Sequence, residues 1–210
     1  MKPEPDLDCP LCPRLVAFRA TNAIAEPAWH NAPVLSFGSD NARLLIVGLA
    51  PGRGGANKTG RPFTGDYAGD LLYATLLKFG FAKGQYRSDP HDGLKLVDCM
   101  ITNAVRCVPP ENKPTPAEAA NCRPFLIARM NALPKVTAIV ALGRVAHEAT
   151  IRATGGALAK YPFAHGAQHT LPGGMKLFDS FHCSRYNTNT GRLTTAMFED
   201  VFEAVRAALL

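Results

Sequence analysis

The sequence predicts an α/β fold: a three-layer α/β/α sandwich around a central, mostly parallel four-stranded sheet. Three observations lead there. Short apolar runs recur at 43–48, 97–103, 136–142 and 175–181. Segments with helical caps or helical periodicity stand between and after them. Each run ends in a Gly, Pro or polar loop, as strands buried on both faces of a parallel sheet do. In such folds ligands sit at the carboxyl ends of the strands.

Taken in order, the first run, Leu44-Leu45-Ile46-Val47, enters a loop with seven glycines between Gly48 and Gly69. A helix over 70–79 follows, with Leu72, Leu76 and Phe79 on one face and a stop at Gly80. After the second strand, Thr115-Pro116-Ala117-Glu118 is a capping box with Pro at the first helical position, opening a helix to about residue 130. The third strand leads into a helix over 143–153. Residues 155–174 read as a Gly/His-rich loop. The last strand precedes a helix over 194–209, with Met197, Val201 and Val205 at helical spacing. No repeat or linker divides the chain, so one domain is expected over 1–210.

Composition is that of an ordinary globular protein. No apolar run is long enough to span a bilayer, and the amino terminus has no apolar stretch of the signal-peptide kind. A cytoplasmic protein is expected. Lys and Arg outnumber Asp and Glu by 23 to 17, a formal +6, which favours polyanionic partners without specifying one. Six cysteines in a reducing compartment point to free thiols or metal ligands rather than disulfides.

The glycine loop admits several readings. Gly52-Arg53-Gly54-Gly55-Ala56-Asn57-Lys58-Thr59 approaches a P-loop. Asn57, however, stands where that motif needs a glycine to wrap the phosphates, and Pro51 precedes its first glycine. A plain surface loop with turn glycines leaves Arg61-Pro62-Phe63-Thr64-Gly65-Asp66 unexplained. Phe63 there is a packing residue or a stacking platform. The cysteines are similarly open: Cys9 and Cys12 form a C-x-x-C, and Cys107 and Cys122 lie in and after a Pro-rich segment. They form one four-thiolate site, iron–sulfur or zinc, or are separate buried thiols.

GLAPG from Gly48, GRPFTGD from Gly60, ITNAVRCVPPENKPT from Ile101 and FHCSRYNTNTGRLT from Phe181 together resemble the uracil-DNA glycosylase superfamily. The chain is most similar there to the iron–sulfur family 5, or type B, enzymes. The resemblance implies a monofunctional DNA glycosylase. Such an enzyme flips out uracil, or also hypoxanthine or other deaminated or damaged bases, and hydrolyses the N-glycosidic bond. An abasic site remains for base-excision repair. It also implies a structural [4Fe–4S] cluster on Cys9, Cys12, Cys107 and Cys122, tying the amino terminus to the Pro-rich loop. A monomer acting on uracil-containing DNA, away from membranes, is expected. The alternative is a catalytically weak module that binds uracil-containing or abasic DNA.

Within that resemblance, Gly48, Ala50, Phe63, Asn103 and His182 are the base-binding residues. Phe63 stacks on the pyrimidine, the Asn103 amide reads its imide edge, and His182 donates near O2, where negative charge accumulates. Leu49 stands where several related families carry an acid or amide, so Asp66 is the carboxylate for water or for the sugar cation, with Asp70 as fallback. Asp66 also reads as a helix N-cap. The catalytic set is Asp66, His182 and Asn103. Cys183 replaces the proline usual in the fourth motif. Arg53, Lys58, Arg61, Ser184, Arg185, Asn187, Gly191, Arg192 and Leu193 are expected to face DNA, the cations toward phosphate and Leu193 as a wedge or as a staple for the last helix.

Overall fold

The structure is a computed structural model and describes residues 2–210. In chain order the elements are α1 (Pro13–Ala25), β1 (Phe37–Gly38), β2 (Leu44–Gly48), α2 (Ala56–Thr59), α3 (Tyr67–Lys78), β3 (Ala82–Lys83), β4 (Lys95–Leu96) and β5 (Cys99–Asn103). Then come α4 (Pro116–Asn131), β6 (Ala138–Leu142), α5 (Arg144–Ala153), β7 (Gln168–Thr170), β8 (Lys176–Ser180), α6 (Arg185–Asn189) and α7 (Thr195–Ala208).

The main sheet runs β1-β5-β2-β6-β8-β7. Its four inner strands are parallel, with Leu44 opposite both Cys99 and Ala138. Successive residues of β2 point to opposite faces, as the strand pleat dictates. Leu44 and Ile46 join Leu72 and Leu76 of α3 and Phe198 and Phe202 of α7 in one core. Leu45 and Val47 join Leu126 of α4 and Ala146 and Ile151 of α5 in the other. This is the expected three-layer sandwich.

The sheet has six strands, not the expected four. The edges β1 and β7 pair antiparallel with β5 and β8. Neither carries an apolar run; both are strands because a neighbour offers a free row of backbone donors and acceptors. In β1 the backbone passes so close to β5 that a Cβ at Gly38 would collide with the Cys99 carbonyl, and Gly38 also sits at φ 136. Ala82–Lys83 and Lys95–Leu96 form a separate two-stranded ribbon. Helix α1 was also not expected. Its buried positions are Leu15, Arg19 and Asn22, so two of the three residues on its inner face are polar and leave no apolar stripe to read.

Helix caps follow the sequence closely. Thr115 Oγ1 accepts from the Glu118 N–H at 3.2 Å, and the Glu118 carboxylate accepts from the Thr115 N–H at 2.7 Å. Thr194 caps α7. Helix α3 starts three residues before the expected position, because Asp66 is its N-cap.

Candidate active site

The carboxyl ends of β2, β5 and β8 open into one cavity of about 750 Å³, lined by Leu49, Ala50, Phe63, Asp66, Asn103 and His182 together with the glycine loop and the start of α6. The β5 terminus delivers Asn103, the loop after β2 delivers Phe63 and Asp66, and the chain after β8 delivers His182. Residues far apart in sequence thus share a site because three parallel strands end at one level.

Asn103 is 3% exposed, and its Oδ1 has no hydrogen-bond partner. Leaving a buried acceptor unmade costs about 1–3 kcal/mol, so this atom invites a donor. Gly48 makes the arrangement feasible: a Cβ there would strike both Asn103 Oδ1 and the Phe63 ring. Phe63 is 7% exposed and holds φ at 51°, the left-handed region that non-glycine residues avoid.

Several contacts fix it there. The Tyr86 hydroxyl donates to the Phe63 carbonyl at 3.1 Å, and the Tyr73 hydroxyl donates to the Pro62 carbonyl at 2.7 Å. Arg61 clasps Asp92 in two charge-assisted bonds of 2.8 and 2.9 Å and donates to Thr64 Oγ1 at 2.7 Å. These Arg61 bonds hold the Asp92 carboxyl well below the usual carboxylate range.

This corrects one expectation. Arg61 is 5% exposed and its charge is already paired, so it is a strut and does not reach phosphate.

The His182 ring stacks toward Phe63, with centroids 6.1 Å apart and planes at 29°. The Asn187 side-chain amide donates to the His182 carbonyl at 2.8 Å, and so positions the backbone of that loop. Burial pushes His182 down to about 4, so near pH 7 the imidazole is neutral and offers one N–H donor.

Asp66 uses its two oxygens differently. Oδ1 accepts from the Gly69 N–H at 3.3 Å as the cap of α3. Oδ2 faces Gly52 and Gly55: a Cβ at 52 would lie 2.9 Å away, and one at 55 would collide. Those two glycines leave the carboxylate its room. Burial raises the Asp66 carboxyl; the N–H groups of Gly69 and Ala68 partly offset this, and the charge of Asp70 adds to it. Asp70 is exposed, accepts from Ser88 at 3.3 Å, and does not line the cavity.

Arg53, Lys58, Arg185 and Arg192 are exposed. The first two flank the Trp29 ring, Arg185 lies over Tyr67 and Arg192 over Phe181. Ser184 caps the short α6, and Gly191 turns the chain at φ 69. Leu193 departs from the wedge expectation: it is 1% exposed and packs in the core with α7. Cys183 is fully buried in the same core, which accounts for an apolar residue being accepted where proline is usual. Two residues were missed. Tyr67 and Tyr186, 37% and 72% exposed, line the cavity mouth. The signal was available for Tyr186, an aromatic inside the fourth motif.

Away from the cavity, Cys12, Cys107 and Cys122 cluster with Leu15 and Val105, and Cys9 is half-buried beside them. Burial, with the charge of the neighbouring thiols, pushes Cys107 up to about 12 and Cys122 to about 11. The Asn121 amide, which donates to Cys12 Sγ at 3.6 Å, and the charges of Arg19 and Arg106 oppose the rise of these thiols without reversing it. Cys99 is buried within β5 as expected.

Comparison with known proteins places these features in a family. The family model of the uracil DNA glycosylase superfamily matches residues 35–206. A type-5 uracil-DNA glycosylase of Thermus thermophilus is 47% identical over 95% of this chain and 94% of its own length. Proteins of the same name from Mycobacterium leprae and Mycobacterium bovis are 44% and 42% identical, over 92% and 94% of this chain and 88% and 77% of their own lengths.

Proposed function

The chain belongs to the uracil DNA glycosylase superfamily, and from that premise we propose that it is a monofunctional uracil-DNA glycosylase of base-excision repair. The observation that carries the reading is the orphaned Asn103 Oδ1 beside the Phe63 ring. A flipped uracil stacks on Phe63 and donates its N3–H to Oδ1, while the Asn103 N–H donates to O4. Gly48 and Ala50 admit the base edge. Hypoxanthine presents a like N–H and carbonyl edge to the Asn103 amide, and it and other deaminated bases belong to the same reading.

The C1′–N1 bond breaks with its electron pair passing to the base. Neutral His182 donates to O2, where that charge gathers, and Asp66 Oδ2 faces the positive sugar. Water adds its oxygen to C1′. Its proton passes to Asp66 and on to solvent, and the base leaves with a proton from solvent. Among the described residues no lysine lines the cavity, which suits a water nucleophile over an amine.

The exposed cations Arg53, Lys58, Arg185 and Arg192, with Ser184, Asn187 and Gly191, form the DNA-facing rim. Cys9, Cys12, Cys107 and Cys122 would hold a [4Fe–4S] cluster. Such a cluster supplies no electron to a hydrolysis and acts as a clip between α1 and the 107–122 segment. The donor set fits. Cys12, Cys107 and Cys122 share one buried group with Cys9 half-buried beside it, and four thiolates are the ligand set a [4Fe–4S] cluster takes. The reading includes a monomer in a reducing cytoplasm, where Cys99 and Cys183 stay free thiols and the other four are kept from pairing as disulfides. Among the described residues, no helix is long and apolar enough to cross a membrane.

The test is release of free uracil from a duplex carrying one uracil opposite guanine, with DNA in excess over protein. Repeated turnover to abasic product is expected. Binding without release, for uracil and hypoxanthine alike, would contradict catalysis and favour a damage-binding module.

A further inference from the structure

At the β8–β7 edge of the main sheet, His147 of α5, His169 of β7 and Asp179 of β8 bring three donor atoms within 4.8 Å of one another. His147 is 2% exposed, Asp179 0% and His169 12%. Nothing in the glycosylase reading uses them. Their proton inventory is unusual. His147 Nε2 lies 2.9 Å from the Tyr161 carbonyl, which can only accept, so Nε2 carries a proton. In the neutral ring, Nδ1 then holds a lone pair, and that lone pair points at Asp179 Oδ1 from 2.8 Å. His169 Nε2 faces the other carboxylate oxygen at 3.2 Å. The lone pairs of His147 Nδ1 and Asp179 Oδ1 therefore face each other, with His169 Nε2 beside them, and a cation must stand between the two: a proton on His147, or a metal ion.

We propose that His147, His169 and Asp179 form a binding site for a divalent transition metal of the zinc class, separate from the cysteine cluster. Two imidazoles and one carboxylate are a zinc ligand set, with a water completing the tetrahedron on the side where His169 is open to solvent. The bond from His147 Nε2 to a backbone carbonyl is the outer contact that metal-bound histidines make, and it fixes the ring with Nδ1 aimed inward. Phe163 and Tyr161 pack edge-on against His147 and His169 and shield the site. Ligand atoms around zinc stand about 3.3 Å apart. His169 Nε2 stands 3.2 Å from Asp179 Oδ2 and His147 Nδ1 2.8 Å from Oδ1, so small shifts of these side chains admit the ion. The ion would fasten α5 to the β7–β8 hairpin. Asp179 precedes His182 by three residues, so the clasp would also steady the strand that delivers His182.

The experiment titrates zinc and, separately, cobalt(II) into the intact, iron-loaded protein after dialysis against a mild chelator. Iron is counted before and after. Zinc binding near one per chain, a rise in melting temperature on zinc addition, and a cobalt spectrum of tetrahedral nitrogen–oxygen type without thiolate charge-transfer absorption are expected. His169→Gln and Asp179→Asn should each weaken zinc binding about tenfold or more and abolish the melting shift, with the iron count unchanged. No zinc bound by wild type, a thiolate-type cobalt spectrum, or undiminished binding in both variants would overturn the site. The wild-type spectrum decides the matter even if a variant fails to fold.

Discussion

Arg61 and Arg185 each stand in a motif beside the same cavity, and they differ in almost every physical respect. Arg61 is buried and locked to Asp92, with its guanidinium committed to holding the Phe63 loop. Arg185 is exposed on α6, its guanidinium 5.3 Å over the Tyr67 ring and free to meet an anion. The contrast extends to their surroundings. The segment from Gly60 to Asp66 is preorganised, with Phe63 held at positive φ by hydrogen bonds to its own and its neighbour's carbonyl. The segment from Ser184 to Arg192 presents an exposed polar surface. A base receptor has to be rigid before the base arrives, whereas phosphate contacts tolerate side chains that adjust.

The comparison is broken most severely at the strut. Asp92→Ala strands the Arg61 charge in the interior and should destabilise the protein by about 3–5 kcal/mol. Arg185→Ala should change stability by no more than about 0.5 kcal/mol. Urea unfolding of the two variants in parallel measures the difference, and equal losses would erase the distinction. Next in size, Asn103→Asp replaces the donor toward O4 with a charge, and excision of uracil should fall about 10- to 100-fold, read as kcat/KM on a uracil duplex. Arg185→Ala should weaken DNA binding across sequences and lower the salt slope of log K by about 1. Arg61→Ala, if it folds, should leave that slope unchanged.

A further pair of effects is read against pH. Asp66 is raised by burial, so activity that needs its carboxylate should fall as pH drops through a midpoint above the usual carboxylate range. His182, pushed down from 6.5 to about 4, should add no inflection near neutrality. It contributes to stability instead. Between those values the unfolded chain binds a proton that folded His182 refuses, so stability from this group is complete above 6.5 and is lost as pH falls toward 4. Urea midpoints of wild type and His182→Gln across that window should converge at the acid end. A constant gap would contradict the shift.

How far the sequence could be read follows from where each signal resides. The inner strands are apolar runs and the capping box at Thr115 is a local pattern, so both are visible in one dimension. Strands β1 and β7 exist only because β5 and β8 have open edges, and α1 hides its buried face behind Arg19 and Asn22. The site residues Phe63, Asn103, Asp66 and His182 lie in motifs, and the strand ends bring them together. Arg61 was misread because charge is visible in a sequence and Asp92, its partner, is not. Leu193 stayed open between wedge and staple because a leucine in a loop gives no sign of whether the loop folds inward; the structure makes it the staple. His147, His169 and Asp179 come from three separate segments and form no motif at all.

The central claim is that Asp66 does two jobs, capping α3 with Oδ1 and serving the reaction with Oδ2. Asparagine caps a helix about as well as aspartate but carries no charge. Single-turnover excision from a uracil–guanine duplex, with wild type and Asp66→Asn side by side and melting temperatures taken on the same samples, separates the two jobs. The account predicts a rate loss of about 10²-fold or more with the melting temperature held. An unchanged rate in the variant would contradict it and leave Asp66 as a helix cap alone.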